Sequence, residues 1–173
     1  MRSALYEFSR NGFHETTVEA VVARARTSKS AFYANFESKE ACYLALVDQF
    51  GGELMLAVQK VATASGVPGG AIRAGIQEFM RRCLVEPDLG RLLLVQSLGL
   101  GGEIEARWQR LRSRFADLIE AEARAGNWVA AAQGVEDVYA WAVVGAVGEV
   151  TRQLLMHAGD EAAAATALGR LLG

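Results

Sequence analysis

The chain has 173 residues, a formal charge of −2, and about half of its residues (51%) are apolar. That length supports a sizeable core and one or two small domains, and the near-neutral charge counts against a polycation that coats nucleic acid indiscriminately. With only two prolines and abundant Ala and Leu, and no convincing β segment, the expected class is all-α with about nine helices.

Cys42 and Cys83 lie far apart inside helical patterns, with no CxxC and no Cys/His cluster. They read as small buried hydrophobes in a reducing compartment. Two histidines make no persuasive metal site, and no Ser/His/acid context suggests a triad. No metal, no cofactor and no enzymatic activity are therefore expected. The N-terminal stretch has no long apolar core, so no signal peptide is expected. The longest charge-free apolar run, 138–148, is well short of the ~20 residues a membrane span needs. The expectation is a cytoplasmic protein without a membrane partner.

In chain order, residues 4–11 form a short amphipathic helix with Leu5 and Phe8 on one side, Gly12 as a stop and Phe13 folding back. Thr16 and Glu19 stand at capping-box spacing, and Val18, Val21 and Val22 line one helical face. The pattern breaks over 24–27. Ser28 then caps a second helix, about 28–36, in which Phe32 and Phe36 point inward. Lys29, Ser30, Tyr33, Ala34 and Asn35 are left facing largely outward, a narrow face rich in donors and acceptors of the kind that enters a DNA major groove.

Ser38-Lys39-Glu40 opens a long helix, with Gly51-Gly52 expected to weaken or bend it. Residues 64–70 read as a linker. A fifth helix ends near Glu86-Pro87, and 88–98 read as a short, very apolar helix. A long helix over about 103–125 places Trp108 and Phe115 inward behind a solvated charged face. The helix at about 135–157 is apolar nearly all round and needs burial on two sides. A last helix spans 161–172. The final two helices carry more apolar surface than one domain needs, which symmetric dimerisation would cover. Gly145 and Gly148 allow close helix approach, either across a dimer interface, the favoured reading, or toward a ligand, and Arg152, Leu168 and Leu171 complete the expected dimer interface. Phe79, Cys83, Trp108, Phe115 and Trp141 are the candidates for a mostly apolar ligand pocket between helices.

The run G-F-x-x-T-T-V-x-x-V followed by S-K-S-A-F-Y-A-N-F-E-S-K-E-A closely resembles the DNA-binding domain of TetR-family transcriptional repressors. The resemblance is strong over 5–46 and continues beyond only as helix number, order and length. It implies a helix-turn-helix head over 1–46, a ligand-binding and dimerisation body over 47–173, and a homodimer built by the last two helices. It further implies that Thr17, Tyr33 and Lys39 meet phosphates. Ser28, Lys29, Ser30, Ala31, Ala34 and Asn35 complete the DNA-binding surface, with Lys29, Ser30, Ala34 and Asn35 facing base edges. The family's usual Gly-Val turn is here Arg26-Thr27, and a left-handed Arg costs on the order of 1 kcal/mol; either the turn differs locally or Arg26 adds a phosphate contact.

The function expected is a ligand-responsive regulator, a repressor released from a near-palindromic double-stranded operator by a small, largely apolar effector. The alternative is a small-molecule-binding helical protein whose DNA-binding head is non-functional.

Overall fold

A computed structural model describes residues 1–66, 70–97, 99–125 and 136–157. The described residues are all helix and turn. The order is α1 (Arg2–Glu15), α2 (Val18–Ala25), α3 (Lys29–Tyr33), α4 (Lys39–Ala64), α5 (Gly70–Val85), α6 (Pro87–Arg91), α7 (Gly102–Ala125) and α8 (Glu136–His157). The expected last helix, with Leu168 and Leu171, lies outside the described residues.

α1 runs past its expected end. Gly12 takes φ +79°, a kink that only glycine accepts cheaply, and the helix resumes to Glu15. A Cβ at Gly12 would stand 3.0 Å from Gln96 Oε1, so the kink also makes room for a later segment. Beyond it Phe13 does fold back, stacking on Phe8 at 6.2 Å and meeting Tyr43 edge-on at 5.4 Å.

The capping box expected at Thr16 does not form, because the cap moves one residue on and places Ala20, not Glu19, at the third helical position. Thr17 is the N-cap of α2 and accepts from the Ala20 amide at 3.2 Å. Thr16 is buried instead, and its hydroxyl lies 3.1 Å from the Glu7 carbonyl and 2.7 Å from the Gly12 carbonyl, as a C-cap of α1. α2 is fastened to α1 by Arg24, which pairs with Glu7 and lies 3.6 Å over the Tyr6 ring.

α4 passes straight through Gly51-Gly52 as one 26-residue helix. The two glycines differ in their surroundings. A Cβ on Gly51 would stand 2.7 Å from Leu111 Cδ2, whereas one on Gly52 meets nothing within 4 Å. Gly51 is the place where α7 comes against α4. By length and composition α4 could cross a membrane, but half of that apolar window is buried inside the molecule, where it serves as the central core helix.

The segment expected as one helix over 88–98 splits. Pro87 starts α6, which runs into a π turn at Leu92–Gln96. Leu92, Leu93 and Leu94 are buried. One hydrophobic cluster runs without a break from Ala4, Phe8, Phe32 and Tyr43 through Leu54 and Cys83 to Leu92, Ile104 and Leu155, so α1, α3 and α8 share one core.

Candidate nucleic-acid interface and ligand cavity

The DNA-facing candidates form a continuous surface across α2 and α3. Thr17, Ser28, Lys29, Ser30, Ala31, Tyr33, Ala34 and Asn35 are all exposed. Phe32 is buried on the opposite side, with Phe36 at 5.4 Å from its ring. That single aromatic anchor sets which way α3 faces. Ser28 accepts from the Ala31 amide at 3.1 Å, fixing the helix start.

The regular part of α3 is shorter than expected, ending at Tyr33. The chain then continues in a turn in which the Phe36 amide still donates to the Phe32 carbonyl at 2.9 Å. The Asn35 side-chain amide donates to the Ala31 carbonyl at 2.8 Å and so caps its own helix. Tyr33 is 54% exposed and stands edge-on to Phe32. Lys29 pairs with Glu19 across the α2–α3 turn, which raises the Lys29 pKa and lowers that of Glu19.

The turn itself keeps the geometry that its residues oppose. Arg26 sits at φ +52°, ψ +46°, the only non-glycine with positive φ among the described residues. Its amide donates to the Ala23 carbonyl at 3.2 Å and the Thr27 amide to the Val22 carbonyl at 3.0 Å, closing the end of α2. The turn is therefore not rerouted by Arg26.

Lys39 has a different occupation from the one expected. Its ammonium donates to the carbonyls of Phe13, His14 and Thr16 at 2.7, 3.1 and 2.9 Å, and lies 4.6 Å from the Phe13 ring. These carbonyls lie at the end of α1, where no intrahelical donor reaches them. All three N–H groups are committed, so Lys39 holds the α1–α2 corner from the first turn of α4.

A cavity of about 260 Å³ lies between α4, α5, α7 and α8. Of the pocket candidates, Phe79, Trp108 and Phe115 line it, with Phe79 and Phe115 edge-on at 5.4 Å. Cys83 does not; it is fully buried beside Gly90, and burial pushes its thiol up to about 12. Trp141 is also absent from the lining, but its ring lies 5.3 Å from the guanidinium carbon of Arg112, which does line the cavity. Gly145, Gly148 and Arg152, expected at a dimer interface, line the cavity as well. Arg112 escaped the sequence reading because it alternates with other charges on α7, and only the packing of α8 distinguishes it.

The cavity and the head meet at the π turn. Leu93 and Leu94 line the cavity, and the Trp108 indole N–H donates to the Leu93 carbonyl. A few residues on, Gln96 donates to the Ser9 carbonyl of α1 at 3.3 Å and Ser97 meets the Tyr43 hydroxyl of α4. Ser9 in turn donates to Asp88 of α6 at 2.8 Å, and Arg2 pairs with Glu86 at 2.9 Å.

An exposed two-helix surface on an all-helical body is the arrangement of a helix-turn-helix protein. Residues 1–46 match the family profile of the bacterial regulatory proteins of the TetR family, so the N-terminal head is similar to the DNA-binding domain of that family. The chain is similar to the HTH-type transcriptional regulator YuxN of Bacillus subtilis, 26% identical over 113 residues that make up 65% of this chain and 39% of that protein. It thus spans well under half the length of that curated relative. In fold it is similar to the fatty acid degradation regulator FadR of Bacillus halodurans (TM-score 0.82, 14% identity, 99% of this chain and 95% of the other). It is similar also to FadR of Bacillus subtilis, solved in complex with stearoyl-CoA (TM-score 0.80, 14% identity, 98% and 94%).

Proposed function

We propose that this chain is a TetR-family regulator, a cytoplasmic, homodimeric repressor whose release from its operator is driven by a small, largely apolar effector in the α4–α8 cavity. The observation that carries this reading is the π turn, which touches the cavity wall with Leu93 and the head with Gln96 and Ser97. An effector that prefers one arrangement of that turn shifts the pose of α1 and α4 by its differential affinity. The likeness in fold to a FadR solved with stearoyl-CoA supports an effector with an apolar chain.

In this reading Thr17 and Tyr33 anchor phosphates, while Ser28, Lys29, Ser30, Ala31, Ala34 and Asn35 face the groove. Lys39 positions the corner that presents Thr17. The dimer forms through α8, because Tyr139, Val150 and Met156 leave apolar surface exposed on it. A two-fold dimer reads a near-palindrome, with half-sites ~34–36 Å apart. Functionally the head comprises 1–46 and the body 47–173.

The test is fluorescence anisotropy with the DNA flanking this protein's own gene against a scrambled duplex at two salt concentrations. Preferential binding that weakens steeply with salt is expected, with Tyr33→Ala abolishing it while the dimer persists. Equal binding to both duplexes, or an unchanged footprint for Tyr33→Ala, contradicts the reading.

A further inference from the structure

Building on that proposed effector site, we infer that Arg112 is an anion-recognising residue of the cavity, so that the effector is an apolar chain carrying an anionic head.

Three observations on α7 and α8 carry this. Arg112 lines the cavity, which is otherwise walled chiefly by apolar residues such as Phe115, Leu118 and Val144. Its guanidinium carbon lies 4.6 Å from the Trp108 ring and 5.3 Å from the Trp141 ring, so two indoles hold it in place. No carboxylate among the described residues forms an ion pair with it, whereas Arg107, Arg110, Arg124 and Arg152 all have one.

A guanidinium partly removed from water without a carboxylate in contact is unfavourable, and aromatic faces offset only part of that. Burial accordingly pushes the Arg112 pKa below its ordinary value, with Glu105 opposing the shift. Its planar fork of donors matches a carboxylate or a phosphate.

The other charges on the wall set an orientation. Glu149 is occupied by Arg152 and Gln153. Glu122 also lines the cavity, ten residues further along α7, which is ~15 Å at the helical rise. An anionic head is attracted to the Arg112 end and repelled from the Glu122 end, leaving the chain along Phe115, Leu118 and Ile119.

The test is calorimetric titration of the full chain with decanoate, 1-decanol and decanoyl-CoA. Decanoate and the thioester separate a carboxylate head from a phosphate-bearing one, and decanol is the neutral control. Decanoate or decanoyl-CoA is expected to bind about tenfold or more tighter than decanol. In Arg112→Gln that preference collapses toward unity while decanol still binds, which also shows that the cavity still folds. Equal affinity for decanol and both anions, or a preference that survives Arg112→Gln, overturns the role of Arg112 and leaves an apolar effector in place. Binding of none of the three overturns the inference and removes the apolar-chain effector with it.

Discussion

The hydroxyls of Tyr43 and Ser97 lie 3.0 Å apart, both side chains fully buried, and join α4 to the end of the π turn. The direction of this bond follows from the hydrogens available. Ser97 has one O–H, which donates to the Leu92 carbonyl at 2.7 Å, so Tyr43 donates to Ser97. Tyr43→Phe removes that donor and leaves the ring packing intact. The expected cost is about 1 kcal/mol, read as a lower urea midpoint at unchanged slope. An unaltered midpoint would show that the bond contributes nothing net.

Alkaline pH should destabilise the protein well before its arginines respond. Burial pushes Cys42 up to about 11, Cys83 to about 12 and Tyr43 to about 12. In the unfolded chain these groups lose protons at their lower ordinary values. Between those values and the raised ones the folded state holds more protons, so stability is full below pH ~8.5 and falls as pH rises through 9 to 12. Urea midpoints measured from pH 7 to 10.5 should be level at first and then decline. A flat profile across the range would contradict the burial of these groups.

Arg26 occupies a left-handed conformation that glycine adopts without penalty. Arg26→Gly should stabilise the protein by about 1 kcal/mol, offset in part by the greater freedom of glycine in the unfolded chain. If Arg26 also contacts phosphate, the same variant loses operator affinity while it gains stability. Thermal denaturation and anisotropy on one sample separate the two effects.

Three glycines in helices should respond in opposite directions. A Cβ at Gly90 would stand 2.6 Å from the Cys83 carbonyl oxygen and 2.7 Å from Leu155 Cδ1, and backbone cannot give way cheaply. Gly90→Ala is expected to cost ~1–3 kcal/mol. At Gly51 the obstacle is the flexible end of Leu111, so a smaller loss is expected. Gly52 faces open space within α4, and Gly52→Ala should add ~0.5–1 kcal/mol. Loss of stability in Gly52→Ala would mean that α4 needs its flexibility there.

In the proposed complex Lys29 reaches DNA only by leaving Glu19. Exposed pairs of this kind are weak, so Glu19→Gln should tighten operator binding by up to about fivefold at low salt. The gain should shrink as salt rises. A weaker complex would instead assign Glu19 a direct part in recognition.

The head was legible because its instructions are local. Ser28 and Ser38 cap the helices they precede, accepting from Ala31 and Ala41 at 3.1 and 3.0 Å, and Phe32 turns the reading face outward by helical spacing alone. Thr16 and Thr17 were confused because either can cap. The choice was made by tertiary structure, which buries Thr16 against the Glu7 carbonyl. Lys39 was similarly opaque, since the carbonyls it caps lie 23 to 26 residues away in sequence. In the body, Phe79 on α5 and Trp108 and Phe115 on α7 were recognisable as wide apolar side chains on inward helical faces. Arg112 was hidden among the charges of α7, and the cavity positions of Gly145 and Gly148 depend on how α8 is rotated, which periodicity does not determine in a helix apolar nearly all round.

The unbroken core has a consequence for anyone who would transplant the DNA-binding specificity of this protein. Residue 46 falls in mid-helix, and Tyr43 and Leu46 are fully buried there. Their cluster extends on to Leu92 and Leu155. A fragment severed at residue 46 would present that surface to water and should fail to fold alone. A chimera that keeps α4 whole, together with the residues of 86–97 that clasp α1, should melt in a single transition. The α3 surface is exposed and exchangeable, whereas α4 belongs to head and body alike.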